Sequence, residues 1–207
     1  MSEPETGSLH AIVLAAGASR RFGSAKQLVK VSGRPLLHAV VGHAVEIAGH
    51  AVTVVLGAGA SEFAPLLRHS PAGVIVNRNW QEGIASSLRA GIGQLPGSCS
   101  AALILLADQA AVTVEDLKRL VNAWRRQPDS LVAAQYGGTA AVPAIFPCWC
   151  FRDLLEMRGD RGAQRLFARH ADRLVRVPMP SAAIDLDTPE DLLKLEMRPA
   201  APRDAAD

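Results

Sequence analysis

Between Leu14 and Lys26 the chain reads LAAGASRRFGSAK. The small residues Ala15, Ala16 and Gly17 let a ligand lie close to the backbone, and a turn of this kind presents successive N–H groups to phosphate oxygens. Arg20, Arg21 and Lys26 add cationic side chains within reach. A polyanion such as a nucleoside triphosphate needs this combination; an ordinary glycine turn with solvated basic residues is the alternative. The segment is not a Walker A loop, because Gly23 is followed by Ser24 and Ala25 rather than by Lys-Ser or Lys-Thr. Asp108 ends the apolar run in LILLADQ. A carboxylate there is costly to desolvate, and strand tips beside glycine loops are where Mg²⁺ is held by one or two carboxylates plus substrate phosphates. Capping the next helix is the competing role, but Thr113 already supplies that cap. A second carboxylate comes from IDLDTPEDL, where Asp185 and Asp187 alternate on a short extended stretch. Their side chains point to opposite faces, so one of them joins Asp108. Asp187, directly before a well-capped helix, is the first choice and Asp185 the alternative.

Other candidates carry less chemistry. In NRNWQEGIASSLRAG, Gly83, Ser86 and Ser87 fall at the start of a helix, where hydroxyls and free N–H groups serve equally to cap the helix or to hold a ligand. Trp80 is placed to stack on a base or to cover core. GAGASE, Gly57 to Glu62, opens like a dinucleotide fingerprint but has Glu62 in place of the third glycine, and reads as a structural turn. The six histidines show no HExxH or other ligand spacing. Cys148 and Cys150 flank Trp149 in a set too small for zinc, and read as structural or half-exposed thiols. No GxSxG elbow is present.

These residues need a scaffold, and the chain alternates in a way that supplies one. Apolar runs at Leu9–Ala15, Ala51–Gly57, Gly73–Asn77, Ala101–Ala107, Leu131–Gln135 and Val142–Phe146 predict strands, with a weaker one at Asp172–Val177. Helical spacing is seen over Pro35–Ala48, Ser86–Leu95, Phe151–Met157 and Ala163–Arg169. Thr113 and Asp116 have the spacing of a capping box, and Thr188 with Pro189 opens a last helix. Strands alternating with helices imply right-handed crossovers and a mostly parallel sheet in one α/β domain, with ligands beyond the carboxyl ends of the strands. The 207 residues suit a single domain, 9–197, with polar tails at 1–8 and 198–207. At 49% hydrophobic and 20% charged the chain is not disordered. Lys plus Arg at 22 against Asp plus Glu at 20 gives no electrostatic case for nucleic acid. The absence of an 18-residue apolar run excludes a membrane span. The polar, acidic start MSEPETGS and three scattered cysteines fit a cytoplasmic protein.

Taken together the segments resemble the MobA-like nucleotidyltransferases, and more closely their molybdenum cofactor cytidylyltransferase branch. The family opening, roughly LAAGxSxRMGxxK, stands here with Ser19, Arg21, Gly23 and Lys26 in place and Phe22 for the usual Met. The mid-chain N…G…S pattern appears as Asn77, Gly83 and Ser87. The strand-tip aspartate appears as Asp108-Gln109-Ala110, the later GDxGAR box as GDRGAQ from Gly159 to Gln164, and the closing D-x-DTP-x-DL intact from Asp185 to Leu192. Two departures fall on the acceptor half. Ala140-Ala141-Val142-Pro143 keeps only the proline of a Gly-x-Pro, and Gln164 replaces an Arg, losing a fixed bidentate cation.

The resemblance implies a three-layer, Rossmann-like nucleotide-diphospho-sugar transferase (GT-A type) fold. It implies transfer of CMP from CTP to a molybdopterin-type acceptor, with Mg²⁺ as cofactor and a molybdoenzyme as possible partner. The LAAG opening points to CTP over GTP. Carried onto this chain, the nucleotide would lie against Leu14, Ala15, Ala16, Gly17, Lys26, Asn77, Gly83 and Ser87. Arg21, Lys26 and Asp108 would be catalytic, and Asp108 with Asp187 would hold the metal.

Overall fold

The computed structural model of the chain describes residues 7–17, 28–31, 33–159 and 162–184. In chain order they form β1 (Ser8–Ala15), a small hairpin of β2 (Lys30–Val31) and β3 (Arg34–Pro35), α1 (Leu36–Ala48), β4 (Val52–Leu56), α2 (Ala60–Phe63), β5 (Gly73–Val76), α3 (Ile84–Ile92), β6 (Cys99–Leu106), α4 (Val114–Arg126), β7 (Leu131–Tyr136), β8 (Thr139–Pro147), α5 (Phe151–Glu156), α6 (Gly162–Arg169) and β9 (Leu174–Pro178). Each expected strand and helix among these residues is present, with ends moved by one to a few positions. The β2–β3 hairpin and α2 were not anticipated. No helix among the described residues is long and apolar enough to cross a membrane.

Seven strands make one sheet in the order β5-β4-β1-β6-β8-β7-β9. All are parallel except β8, which runs antiparallel to both β6 and β7. The reversal is made at Gly137-Gly138, where φ is 55° and 77°. Two consecutive left-handed residues are what a two-residue hairpin of the sheet's own twist requires.

Side-chain alternation along the central strand divides the molecule into three layers. Ala11, Val13 and Ala15 of β1 share a core with Leu36, Val40 and Ala44 of α1 and Leu117 and Leu120 of α4. Ile12 and Leu14 point the other way, toward Leu88 and Ile92 of α3, Leu154 of α5 and Leu166 and Phe167 of α6. Because both faces are covered, β1, β4 and β6 read as continuous apolar runs rather than as alternating ones. Gly91 lets α3 approach closely: a Cβ there would lie 2.7 Å from Cγ2 of Ile12.

The order of strands places the crossing point of the fold between β1 and β6. From β1 the chain winds outward through β4 and β5, then returns to β6 on the other side of β1. The crevice beyond the carboxyl ends of two such strands is where this class of sheet binds its ligands.

Candidate functional site

The hydrogen-bond ladder continues past the ends of the parallel strands and holds their exit loops side by side. Ala107 N donates to Leu14 O at 3.0 Å, Ala58 N to Ala16 O at 3.1 Å, and Asn77 N to Leu56 O at 2.8 Å. Leu14, Ala15 and Ala16 are therefore part of the core, at 7%, 3% and 6% exposure. The next residue, Gly17, is exposed. Asp108 sits one residue beyond the Ala107–Leu14 bond, half-buried, at the tip of β6. The two groups thus leave adjacent parallel strands, about 4.8 Å apart in such a sheet. Arg21, Lys26, Asp187 and its alternative Asp185 lie outside the described residues.

Asn77, Gly83 and Ser87 are also brought to this edge, but in a different capacity. The Asn77 amide donates to Ser86 Oγ at 2.8 Å and to Ser87 Oγ at 3.0 Å, while its Oδ1 accepts from Asn79 N at 2.9 Å. Asn77, Ser86 and Ser87 are all under a tenth exposed. Ser86 Oγ also lies 2.9 Å from the carbonyls of Asn79 and Gly83. This knot fixes the entry to α3, where Gly83 takes φ 99°, a conformation that disfavours any residue with a Cβ. The side chains bond one another and hold Gly83 at the start of α3.

The chain segment that enters the GDRGAQ box is held to the same helix. Arg89 donates to Met157 O at 2.6 Å and pairs with Glu82 at 2.7 Å. Ala85 N donates to Gly159 O at 3.2 Å. Arg89 was not singled out in the sequence, where nothing separates it from a solvated cation; both of its roles depend on residues brought to it by the fold.

On the opposite side, α4 anchors the chain just before the acidic C-terminal stretch. Its capping box is formed as expected, with Asp116 N donating to Thr113 Oγ1 at 3.1 Å and Thr113 N to Asp116 Oδ2 at 3.0 Å. The same carboxylate accepts from Ser181 Oγ at 2.7 Å and from Arg119 at 2.6 Å, and Arg119 also donates to Pro178 O at 3.0 Å. Burial works to raise the Asp116 carboxyl, but the Ser181 hydroxyl, the Thr113 amide and the Arg119 guanidinium together hold it below the ordinary carboxylate value. A carboxylate with a depressed folded pKa contributes stability above its unfolded pKa and loses it as pH falls through the folded value. Asp116→Asn is therefore expected to lower the melting temperature at neutral pH, with the gap to wild type closing below about pH 4. Thermal melts at several pH values check this; a gap that stays constant down to about pH 2 contradicts it.

The remaining candidates are structural. Burial pushes the Cys150 thiol up to about 12, so it stays protonated, whereas Cys148 is exposed. Among the described residues no three His, Cys, Asp or Glu side chains group as a metal site. One carboxylate at a strand tip still fits Mg²⁺, which binds proteins through one or two carboxylates and takes its other oxygens from phosphates and water. Gly57 is glycine because the protein crowds it: a Cβ would lie 2.7 Å from Ala16 Cβ, Ala16 O and Trp80 Cβ alike. Trp80 thus backs the Gly57 turn; of GAGASE, Gly57–Gly59 turns and Ala60–Glu62 opens α2.

Comparison with known proteins bears on this arrangement. The model of the MobA-like NTP transferase domain matches residues 11–174. The chain is 27% identical to nicotine blue oxidoreductase of Paenarthrobacter nicotinovorans, over 94% of this chain and 100% of that one. It is 26% identical to a probable molybdenum cofactor guanylyltransferase of Nostoc sp., over 91% of each. The crystal structure of Rv0371c from Mycobacterium tuberculosis superposes with a TM-score of 0.81 at 23% identity, covering 94% of this chain and 100% of that one. The fold is the nucleotide-diphospho-sugar transferase fold that the resemblance implied.

Proposed function

Because the chain belongs to the MobA-like NTP transferase family, we propose that it transfers CMP from CTP to the terminal phosphate of a molybdopterin-type acceptor, releasing pyrophosphate. The observation that carries this reading is the pairing of the Ala15–Gly17 backbone with Asp108 on neighbouring strands at the crossing point of the sheet. The LAAG opening favours cytidine.

In this reading an acceptor phosphate oxygen attacks the α-phosphorus of CTP. A new P–O bond forms, the α–β bridge breaks, and pyrophosphate leaves with the bonding pair. A phosphate monoester has a second pKa of about 6, so the attacking oxygen is already ionised near neutrality and no strong general base is needed. The Ala15–Gly17 amides would orient the phosphates. Arg21 and Lys26, whose roles come from the resemblance, would offset the charge building on the leaving group. Asp108, with Asp187 or Asp185, would hold Mg²⁺, which when bound neutralises phosphate charge and aligns the groups for in-line displacement. Positioning and charge neutralisation then account for most of the acceleration.

The test is a panel of CTP, GTP and ATP with Mg²⁺ and molybdenum-loaded molybdopterin, read by pyrophosphate release and by mass spectrometry of the product. A cytosine dinucleotide is the expected product. A guanine dinucleotide moves the donor to GTP. Nucleotide binding with no pyrophosphate in any arm sinks the transferase reading in favour of a module that delivers the cofactor without chemistry. The oxidoreductase name of one relative finds no separate support in the Gly57–Glu62 turn, where Glu62 stands in place of the third glycine of a dinucleotide fingerprint.

A further inference from the structure

Gln109 follows Asp108 directly and is 2% exposed. Its side-chain amide donates to two carbonyls from distant parts of the chain, Val142 O at 2.8 Å and Ala182 O at 3.3 Å. Val142 belongs to the AAVP stretch of β8, on the acceptor half, and its carbonyl also accepts from Tyr136 Oη at 3.1 Å. Ala182 lies in the turn Pro180–Ala183, which α4 already grips through Asp116–Ser181 and Arg119–Pro178. One amide therefore joins three segments: the tip of β6 with Asp108, the acceptor-side strand, and the turn that leads into the C-terminal acidic stretch.

Packing does not explain an amide here. The Gln109 Oε1 is buried and finds no hydrogen-bond partner, and the side chain adjoins a small cavity lined by Val40, His43, Leu117 and Pro143. An apolar side chain of the same length would fill this place without burying an unpaired acceptor. What the amide contributes is its two donors. We propose that Gln109 is a positioning residue: its N–H groups fix Asp108 relative to β8 and to the 180–183 turn, so that the transfer step, rather than nucleotide binding, depends on them. The kinetic part of this inference rests on the nucleotidyl-transfer reading above; the tether itself does not.

The experiment compares wild type with Gln109→Met. Methionine keeps the shape and removes both donors. Hydrogen exchange of Gln109→Met is expected to quicken at least about tenfold over residues 181–184 while β1 and β4 are unchanged, because local opening reports the loss of local ties. Calorimetric titration with CTP and Mg²⁺ is expected to give a Kd within about threefold of wild type. The kcat for pyrophosphate release with molybdopterin is expected to fall at least about twentyfold, as misplacement of a reacting group by about 1 Å costs of this order. A kcat for Gln109→Met within about threefold of wild type would show a space-filling residue and overturn the proposal. Loss of CTP affinity in step with kcat would overturn it too, as would unchanged exchange over 181–184. A wild-type protein that binds no CTP fails the functional reading instead, and the exchange result still decides whether the tether exists.

Discussion

Asp108→Asn is expected to reduce Mg²⁺-dependent nucleotidyl transfer by about a hundred- to a thousandfold while leaving a cooperative melt within about 4 °C of wild type. The magnitude follows from what the carboxylate does in the proposed reaction. A metal that offsets charge on a transferring phosphoryl group contributes several kcal/mol, and each 1.36 kcal/mol is about tenfold in rate. Asparagine matches aspartate in shape but lacks the charge that holds a hard dication. The loss should therefore appear in turnover and in the Mg²⁺ concentration needed for half-maximal rate, not in folding. Asp108 stands at the tip of β6, half-buried and outside the hydrophobic core, so the substitution removes no apolar contact. Steady-state pyrophosphate release across an Mg²⁺ titration measures it. Wild-type turnover in a well-folded Asp108→Asn protein removes Asp108 from the metal site.

Gly57→Ala is expected to weaken CTP binding by on the order of tenfold, about 1.4 kcal/mol, and to lower the melting temperature by roughly 3–10 °C. Adding one methyl group seldom matters at a surface turn. Here the new Cβ would sit 2.7 Å from the Ala16 carbonyl, the Ala16 Cβ and the Trp80 Cβ. None of these is the end of a flexible side chain, so backbone must move, at the cost of about 1–3 kcal/mol usual for overpacking. The backbone that moves is the one proposed to bind phosphate, since Ala58 N is bonded to Ala16 O at 3.1 Å. Calorimetry with CTP and a thermal melt read the two effects together. Unchanged affinity in a destabilised protein would separate this crowding from the nucleotide loop.

What could be read from the sequence was whatever is local. Strands covered on both faces announce themselves as unbroken apolar runs, and β1, β4 and β6 were placed that way. The capping box at Thr113 and Asp116 depends on residues three apart, so its spacing suffices. Asp108 stood out because a carboxylate at the end of LILLA is costly to desolvate, and the fold puts it at the tip of β6 beside the exit of β1. The direction of β8 was not legible from its own residues, because alternation along a strand is the same read either way. The signal lay in its neighbour: Gly137-Gly138 between two apolar runs is a two-residue hairpin turn, and it reverses the strand. Gln109 was hidden for a different reason. Its carbonyl partners are 33 and 73 residues away, and no local pattern distinguishes a buried bridging amide from a polar loop residue. The same holds for Arg89, and for the second role of Asp116 as the acceptor from Ser181. Asn77, Gly83 and Ser87 were grouped by resemblance, but only the fold shows that Asn77 bonds Ser86 and Ser87 at the entry to α3, where Gly83 takes a positive φ.

The Gly137-Gly138 tip also bears on how such a scaffold changes what it serves. A side chain added at either glycine would meet no atom within 4 Å, and exposed loop tips are where chains take up extra residues at least cost. The tip closes β7 and β8, the strands on the far side of β6 from β1 and its Ala15–Gly17 exit. Lengthening it would remodel one wall of the crevice and spare the buried parallel half. In the proposed reaction, new acceptors could thus be acquired at the hairpin while the parallel half is kept, and grafting of loops at this turn is a route to redirect it.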